Sequence, residues 1–150
     1  MFYEFANPSL YTRCVIPYRL KRHYYKGKSR IAKLLLFPSY VFIETDRIKD
    51  FVSNINWFPG FNVVLHIDEL YCPIYKHEEY LLTELADDHG IIDISSGYME
   101  GDRIRIISGP LVGQEGRILW VNPRKGVAIL QMNLFNRVTE VSLELELISK

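Results

Sequence analysis

The chain has 150 residues, 48% of them apolar and 24% charged, and its formal net charge is zero. Those proportions suit one large or two small globular domains and exclude a disordered chain. No apolar run approaches the ~18 residues of a membrane span, and the opening MFYEFANPSL lacks the basic-then-apolar order of a signal peptide, so a cytoplasmic protein is expected.

The zero balance hides an uneven distribution. No acidic residue falls between Glu4 and Glu44, yet eight of the 18 basic residues do: Arg13, Arg19, Lys21, Arg22, Lys26, Lys28, Arg30 and Lys33. Such a segment attracts phosphate over about a Debye length. The plainer alternative, a solvated loop without a partner, stays open. Cys14 and Cys72 allow at most one disulfide, and two free buried thiols are expected.

In chain order, residues 11–18 suit a short strand. Residues 19–30 are polar, basic and broken by Gly27, and read as a loop or hairpin tip. Residues 34–42 (LLLFPSYVF) suit a buried strand that begins at or just after Pro38. Ile48, Phe51, Val52 and Ile55 recur at helical spacing in 47–57, and Pro59-Gly60 stops that helix. Residues 61–67 read as a strand. Residues 73–87 read as a second helix with Leu81, Leu82 and Leu85 on its buried face. A linker is placed at 88–97, although Ile91, Ile92 and Ile94 are apolar enough for part of it to pack. Beyond Tyr98, Ile104 and Ile106 alternate with Arg103 and Arg105, and Ser108-Gly109-Pro110 marks a turn. Further strands are expected at 115–121 and 126–132, joined by the turn 122–126. The last strand contains Val141, Leu143, Leu145 and Leu147, at the two-residue period of a half-buried strand. Several short strands within about 50 residues imply a small barrel.

The segment GDRIRIISGPLVGQEGRI, from Gly101 to Ile118, resembles the KOW motif of NusG-type transcription factors and several ribosomal proteins. Gly101-Asp102 turns the chain into a strand, Gly109-Pro110 reverses it, and Gly113 and Gly116 suit turns or close strand approach. Phe37-Pro38-Ser39-Tyr40-Val41-Phe42-Ile43 resembles the Phe-Pro-Gly-Tyr-Val-Phe-Val segment of the NusG N-terminal domain, with Ser39 in place of the usual glycine. A basic hairpin before that segment, a helix and Pro-Gly after it, and a Pro-Ile-then-helix segment next, at Pro73-Ile74, follow the family's order over nearly the whole chain. One feature departs. The family opens with a strand of Trp-Tyr-Val type and a helix, roughly 20 residues that this sequence lacks against the normal size of such a domain. An unpaired sheet edge is the expected result.

The resemblance implies an α+β fold: an NGN-like antiparallel sheet with flanking helices over 1–87, the linker 88–97, and an SH3-like KOW β-barrel over 98–150. It implies RNA polymerase as partner, bound through the clamp helices of the largest subunit. By motif match Phe37, Pro38, Tyr40 and Phe42 form or support that surface. Trp57 and Phe58 either rim the apolar cavity that the resemblance implies for this contact or fill the core. The barrel is implied to contact RNA, a ribosomal protein or a termination factor. Arg103, Arg105, Arg117, Arg124, Lys125 and Arg137 outnumber Glu100, Asp102, Glu115 and Glu140. This excess resembles the LoaP type of antiterminator, whose KOW domain takes up RNA. Arg19, Lys21, Arg22, Lys26, Lys28 and Arg30 of the hairpin would add contact to a DNA or RNA backbone.

The function so implied is control of transcript elongation, termination or antitermination, without chemistry of its own. His23, His66, His77 and His89 are scattered, Cys72 and His77 complete no zinc pattern, and no nucleophile or nucleotide-binding fingerprint occurs. No catalytic residue, metal or cofactor, and no membrane contact, is expected. A ribosomal or ribosome-assembly KOW protein is the rival reading. It explains the barrel and the basic loop but not the Phe-Pro-Ser-Tyr-Val-Phe strand.

Overall fold

The computed structural model describes residues 7–55, 64–67, 70–135 and 137–149, apart from the side chains of 80 and 81. The class is α+β, as expected, with many strands and few helices. The chain divides into two compact units, residues 1–16 with 39–73 and residues 17–38 with 74–150.

In the first unit, β1 (Arg13–Val15) pairs antiparallel with β4 (Phe42–Glu44), and Cys14 faces Ile43 across the ladder. Among the described residues β4 pairs with no other strand. Helix α1 (Ile48–Ile55) follows. Its entry is set by Thr45, whose hydroxyl accepts from the Arg47 N–H at 2.9 Å and donates to the Leu10 carbonyl at 2.6 Å. The helical spacing seen in the sequence buries Phe51, which meets Tyr11 edge-on at 6.3 Å. Only the last part of the expected strand 61–67 is described. His66–Ile67 (β5) pairs there with Leu70–Tyr71 (β6).

The strand expected over 34–42 is interrupted. β3 ends at Leu35, and the chain turns before β4 begins at Phe42. Ser39 has φ 73°, in the left-handed region that L side chains enter at a cost. Glycine enters it freely, so the serine sits where its missing counterpart would be unstrained. Pro17 likewise splits the strand expected at 11–18: β1 stops at Val15 and β2 starts at Tyr18.

The second unit contains two sheets. The larger has the order β10-β11-β12-β8-β9 and curves as a half-barrel. Its strands are β8 (Ser95–Glu100), β9 (Arg103–Ser108), β10 (Ile118–Asn122), β11 (Val127–Leu134) and β12 (Arg137–Leu147). Ala128, Leu130, Met132 and Leu134 of β11 and Val141, Leu143 and Leu145 of β12 are buried, so each strand turns one apolar face inward. Each of these side chains larger than alanine contributes roughly 1.5–3 kcal/mol of burial. The strand expected from residue 115 opens instead with a 3-10 turn at Glu115–Arg117. Gly109 lies so close to β8 that an added Cβ would sit 2.6 Å from the Ser95 Cα and 2.7 Å from the Ile94 oxygen. Its φ of 90° points to glycine for the same reason.

The smaller sheet has the order β3-β2-β7, from β2 (Tyr18–Tyr25), β3 (Lys28–Leu35) and β7 (Ile91–Ile92). β2 and β3 are antiparallel, whereas β7 joins β2 in parallel. Residues 19–30, read as a loop or hairpin tip, are therefore strand on both sides of a two-residue turn. The compact units also cut across the boundaries read from the sequence. The hairpin belongs with the C-terminal sheet, and 88–97 contains β7 and the start of β8. Asp87 organises the approach to β7. Its carboxylate accepts from the His89 and Ile91 N–H groups at 2.9 and 2.8 Å. Helix α2 (Lys76–Leu85) precedes it, with Leu85 buried. The equally buried Glu78 reaches back to the Tyr75 N–H at 2.9 Å.

Candidate nucleic-acid interface

The hairpin carries seven of the 18 Lys and Arg residues. Its register pairs Tyr25 with Lys28, His23 with Arg30, and Lys21 with Ala32. Cross-strand partners share a face and neighbours along a strand alternate. One face therefore carries Arg19, Lys21, His23, Tyr25, Lys28 and Arg30, and the other Tyr18, Leu20, Arg22, Tyr24, Ile31 and Lys33. The turn is Lys26-Gly27, with φ 48° and 74°. Two consecutive positive φ values define the primed turn whose twist matches the flanking strands.

Root and tip of the hairpin differ. At the root, Tyr18 N–H donates to the Gly90 carbonyl at 2.8 Å, and the Lys33 ammonium lies 4.0 Å from the Tyr18 ring centre. The Arg22 guanidinium pairs with Glu146, and the Arg22 N–H donates to Glu144 Oε1 at 3.1 Å. Arg19, Lys21 and Arg22 are all half-buried, and the Arg19 Nη1 is buried without a hydrogen-bond partner. At the tip, every residue from 23 to 30 is exposed, including Lys26, Lys28 and Arg30. The seven hairpin cations thus separate into three half-buried at the root, three exposed at the tip, and Lys33, exposed but set over the Tyr18 ring at the root.

The contact at Arg22 also explains an irregularity in β12. Two-residue alternation places Glu144 on the outer face with Ser142 and Glu146, yet Glu144 is only 6% exposed. The root of the hairpin lies against it.

In the C-terminal sheet, Arg103 and Arg105 are exposed on β9, but Arg105 donates to Glu100 at 3.1 Å. That hydrogen bond raises its pKa above the ordinary guanidinium value. Arg117 is exposed in the 3-10 turn. Arg124 and Lys125 project together from the turn between β10 and β11, where the Asn122 side chain accepts from the Lys125 N–H at 3.0 Å.

The residues of the aromatic segment differ in exposure. Phe37 is buried and meets Phe135 edge-on at 6.4 Å. Pro38 is exposed, while Tyr40 and Phe42 are half-buried, Phe42 lying opposite Val15 in the β1–β4 ladder. Trp57 and Phe58 lie outside the described residues. Two exposed aromatics in the hairpin, Tyr24 and Tyr25, are absent from the sequence-based candidates. Their signal is present in His23-Tyr24-Tyr25-Lys26-Gly27-Lys28, where rings interleave with cations. The anchoring carboxylates Glu144 and Glu146 have no such signal, because their partner Arg22 is more than 120 residues away.

Fold and site define a strand-rich α+β protein that exposes a cationic hairpin and a curved C-terminal sheet. No family model matches the chain. Individual proteins do. The transcription termination/antitermination protein NusG of Thermus thermophilus is 26% identical over 132 residues, 83% of this chain and 72% of its own. The protein of the same name from Borreliella burgdorferi is 27% identical over 133 residues, with the same coverage. That of Staphylococcus aureus is 27% identical over 142 residues, 92% of this chain and 77% of its own. The chain is NusG-like over most of its length.

Proposed function

We propose that this chain binds RNA polymerase and modulates transcript elongation, termination or antitermination. Two motifs in NusG order, the Phe37–Ile43 segment and the KOW-like Gly101–Ile118 segment, support the reading within a chain of NusG-like sequence. In this reading residues 1–87 supply the polymerase contact, toward the clamp helices of the largest subunit, and residues 98–150 act as a KOW domain. Pro38, Tyr40 and Phe42 reach solvent and are candidates for direct contact. Phe37 is buried and belongs to the set by its place in the motif. Trp57 and Phe58 complete the candidate set.

The exposed cations add nucleic acid as a second partner. Lys26, Lys28 and Arg30 at the hairpin tip and Arg124 and Lys125 on the C-terminal turn are free to meet phosphate. RNA uptake by the KOW domain would place the protein with LoaP-type antiterminators. A ribosomal protein or termination factor docked there would place it with general NusG factors.

Binding of the chain to RNA polymerase core enzyme tests the reading, with and without an added N-terminal strand and helix of the family type. Binding by either form supports it. Failure of both, with ribosomal subunits captured instead, would transfer the chain to the ribosomal class.

A further inference from the structure

The hairpin tip contains a site that its cations alone do not explain. Tyr24 and Tyr25 are 74% and 72% exposed. An aromatic side chain presents about 150–250 Å² of mostly apolar area, and leaving two of them in water is unfavourable unless a partner covers them. They are neighbours on one strand, so they project to opposite faces of the hairpin.

The two faces are chemically different. Tyr25 stands directly opposite Lys28, and the next pair along the same face is His23 with Arg30. Lys26, in the turn, holds its ammonium 5.3 Å from the Tyr25 ring centre. No carboxylate lies between Glu4 and Glu44 in the sequence to neutralise this group. Tyr24 stands opposite Ser29, with apolar Ile31 next along that face. One tyrosine is therefore set among exposed cations, and the other beside Ser29, Ile31 and an arginine, Arg22, that Glu146 already engages. The root anchors hold the hairpin on β12 through Arg22, which leaves the tip projecting beyond its support.

A flat exposed ring surrounded by cations fits a flat ligand that carries anions beside it. Unpaired bases on a phosphate backbone offer both, one π-face and one phosphate per nucleotide. A duplex offers the phosphates but hides the base faces inside its stack, so the ring would add little there.

We propose that the Tyr25 face of the hairpin tip is a stacking site for an unpaired base of single-stranded nucleic acid. Lys26, Lys28 and Arg30 hold the flanking phosphates. Tyr24, on the face whose nearest cation is already paired, contributes less. The proposal rests on the reading that this chain contacts nucleic acid and specifies the form it takes.

The test uses the full chain and labelled oligonucleotides of about 12 nucleotides, within the usual range of single-strand site sizes. Single-stranded DNA, single-stranded RNA and duplex DNA of one sequence are titrated by fluorescence anisotropy. A single strand is expected to bind more tightly than the duplex, and the DNA and RNA arms identify the source. Tyr25→Ala should weaken single-strand binding about tenfold, the usual cost of one lost base–aromatic stack, and leave duplex binding unchanged. Tyr25→Trp should retain binding, and Tyr24→Ala should cost clearly less than Tyr25→Ala. The double substitution Lys28→Ala with Arg30→Ala should weaken both ligands and flatten the salt dependence.

If Tyr25→Ala has no effect while the lysine–arginine variant weakens binding, the stacking site is refuted and the nucleic-acid reading survives. A duplex that binds as tightly as the single strand refutes the stacking site in the same way. If no oligonucleotide binds, both fall.

Discussion

The β2–β3 and β11–β12 hairpins are built alike and held differently. Each joins two long antiparallel strands through a two-residue connection, between Tyr25 and Lys28 in one and between Leu134 and Arg137 in the other. Each connection opens with a non-glycine residue at positive φ, Lys26 at 48° and Phe135 at 58°. β11 has one face fully buried and β12 has Val141, Leu143 and Leu145 buried beside it, whereas no residue of β2 or β3 is buried. The first is fixed by packing. The second is fixed by its register, its turn and a few anchors at its root. Side-chain loss in β11–β12 should therefore appear as lost stability, and in β2–β3 as lost binding.

The largest effect that would test this contrast is Leu143→Ala. Leu143 is 1% exposed, and its truncation should cost about 3 kcal/mol by combining lost transfer energy with a cavity. A thermal or urea melt that moves by less than about 1 kcal/mol would mean that packing at Leu143 does not hold β11–β12 together. Gly109→Ala comes next, with an expected loss of about 2 kcal/mol from the left-handed backbone and the collision with β8.

Ser39→Gly should act in the opposite direction. Relief of the φ of 73° is expected to raise stability by about 1 kcal/mol in a denaturant titration. No gain would mean that the Ser39 side chain offsets the strain. Glu146→Gln should be smaller still in global terms, at most about 0.5 kcal/mol, because the pair with Arg22 is partly solvated. Its readout is local: amide exchange over 18–22 should accelerate while that of β11 stays slow.

The smallest effect is a pH dependence at Asp87. Its pKa is held below the ordinary carboxylate value chiefly by the Ile91 N–H, and further by the His89 N–H and nearby positive charge. A depressed pKa means that the stabilisation is fully present above the ordinary carboxylate range and is lost as pH falls through the lowered value. Protection of the Ile91 amide, relative to its intrinsic exchange rate at each pH, should fall on acidification, and Asp87→Asn should remove that dependence.

Periodicity made the packed parts legible. Val141, Leu143 and Leu145 alternate with polar residues, and all three are buried. Ile48, Phe51 and Ile55 repeat at helical spacing and lie in α1. Gly101-Asp102 and Ser108-Gly109-Pro110 bracket β9 because turns require particular residues. The hairpin was harder to read because neither of its faces is buried, so no apolar alternation marks its strands. β7 has only two residues and β8 begins Ser95-Ser96-Gly97, too short or too small to show a period. In the candidate site the cations were legible as composition. Their division into anchored and free groups was not, since it depends on Glu144 and Glu146 far along the chain.

The two parallel pairings bear on the order in which the protein is made. β2 and β3 leave the ribosome together, but β7 completes their sheet only when Ile91 and Ile92 emerge. β8 follows at once and finds β9, yet its other neighbour, Leu145–Leu147, emerges only after β9, β10 and β11. Arg22 waits equally long for Glu144 and Glu146. The hairpin is thus made well before the strand that fastens it, and a ligand met during synthesis would find its tip complete before its root is secured.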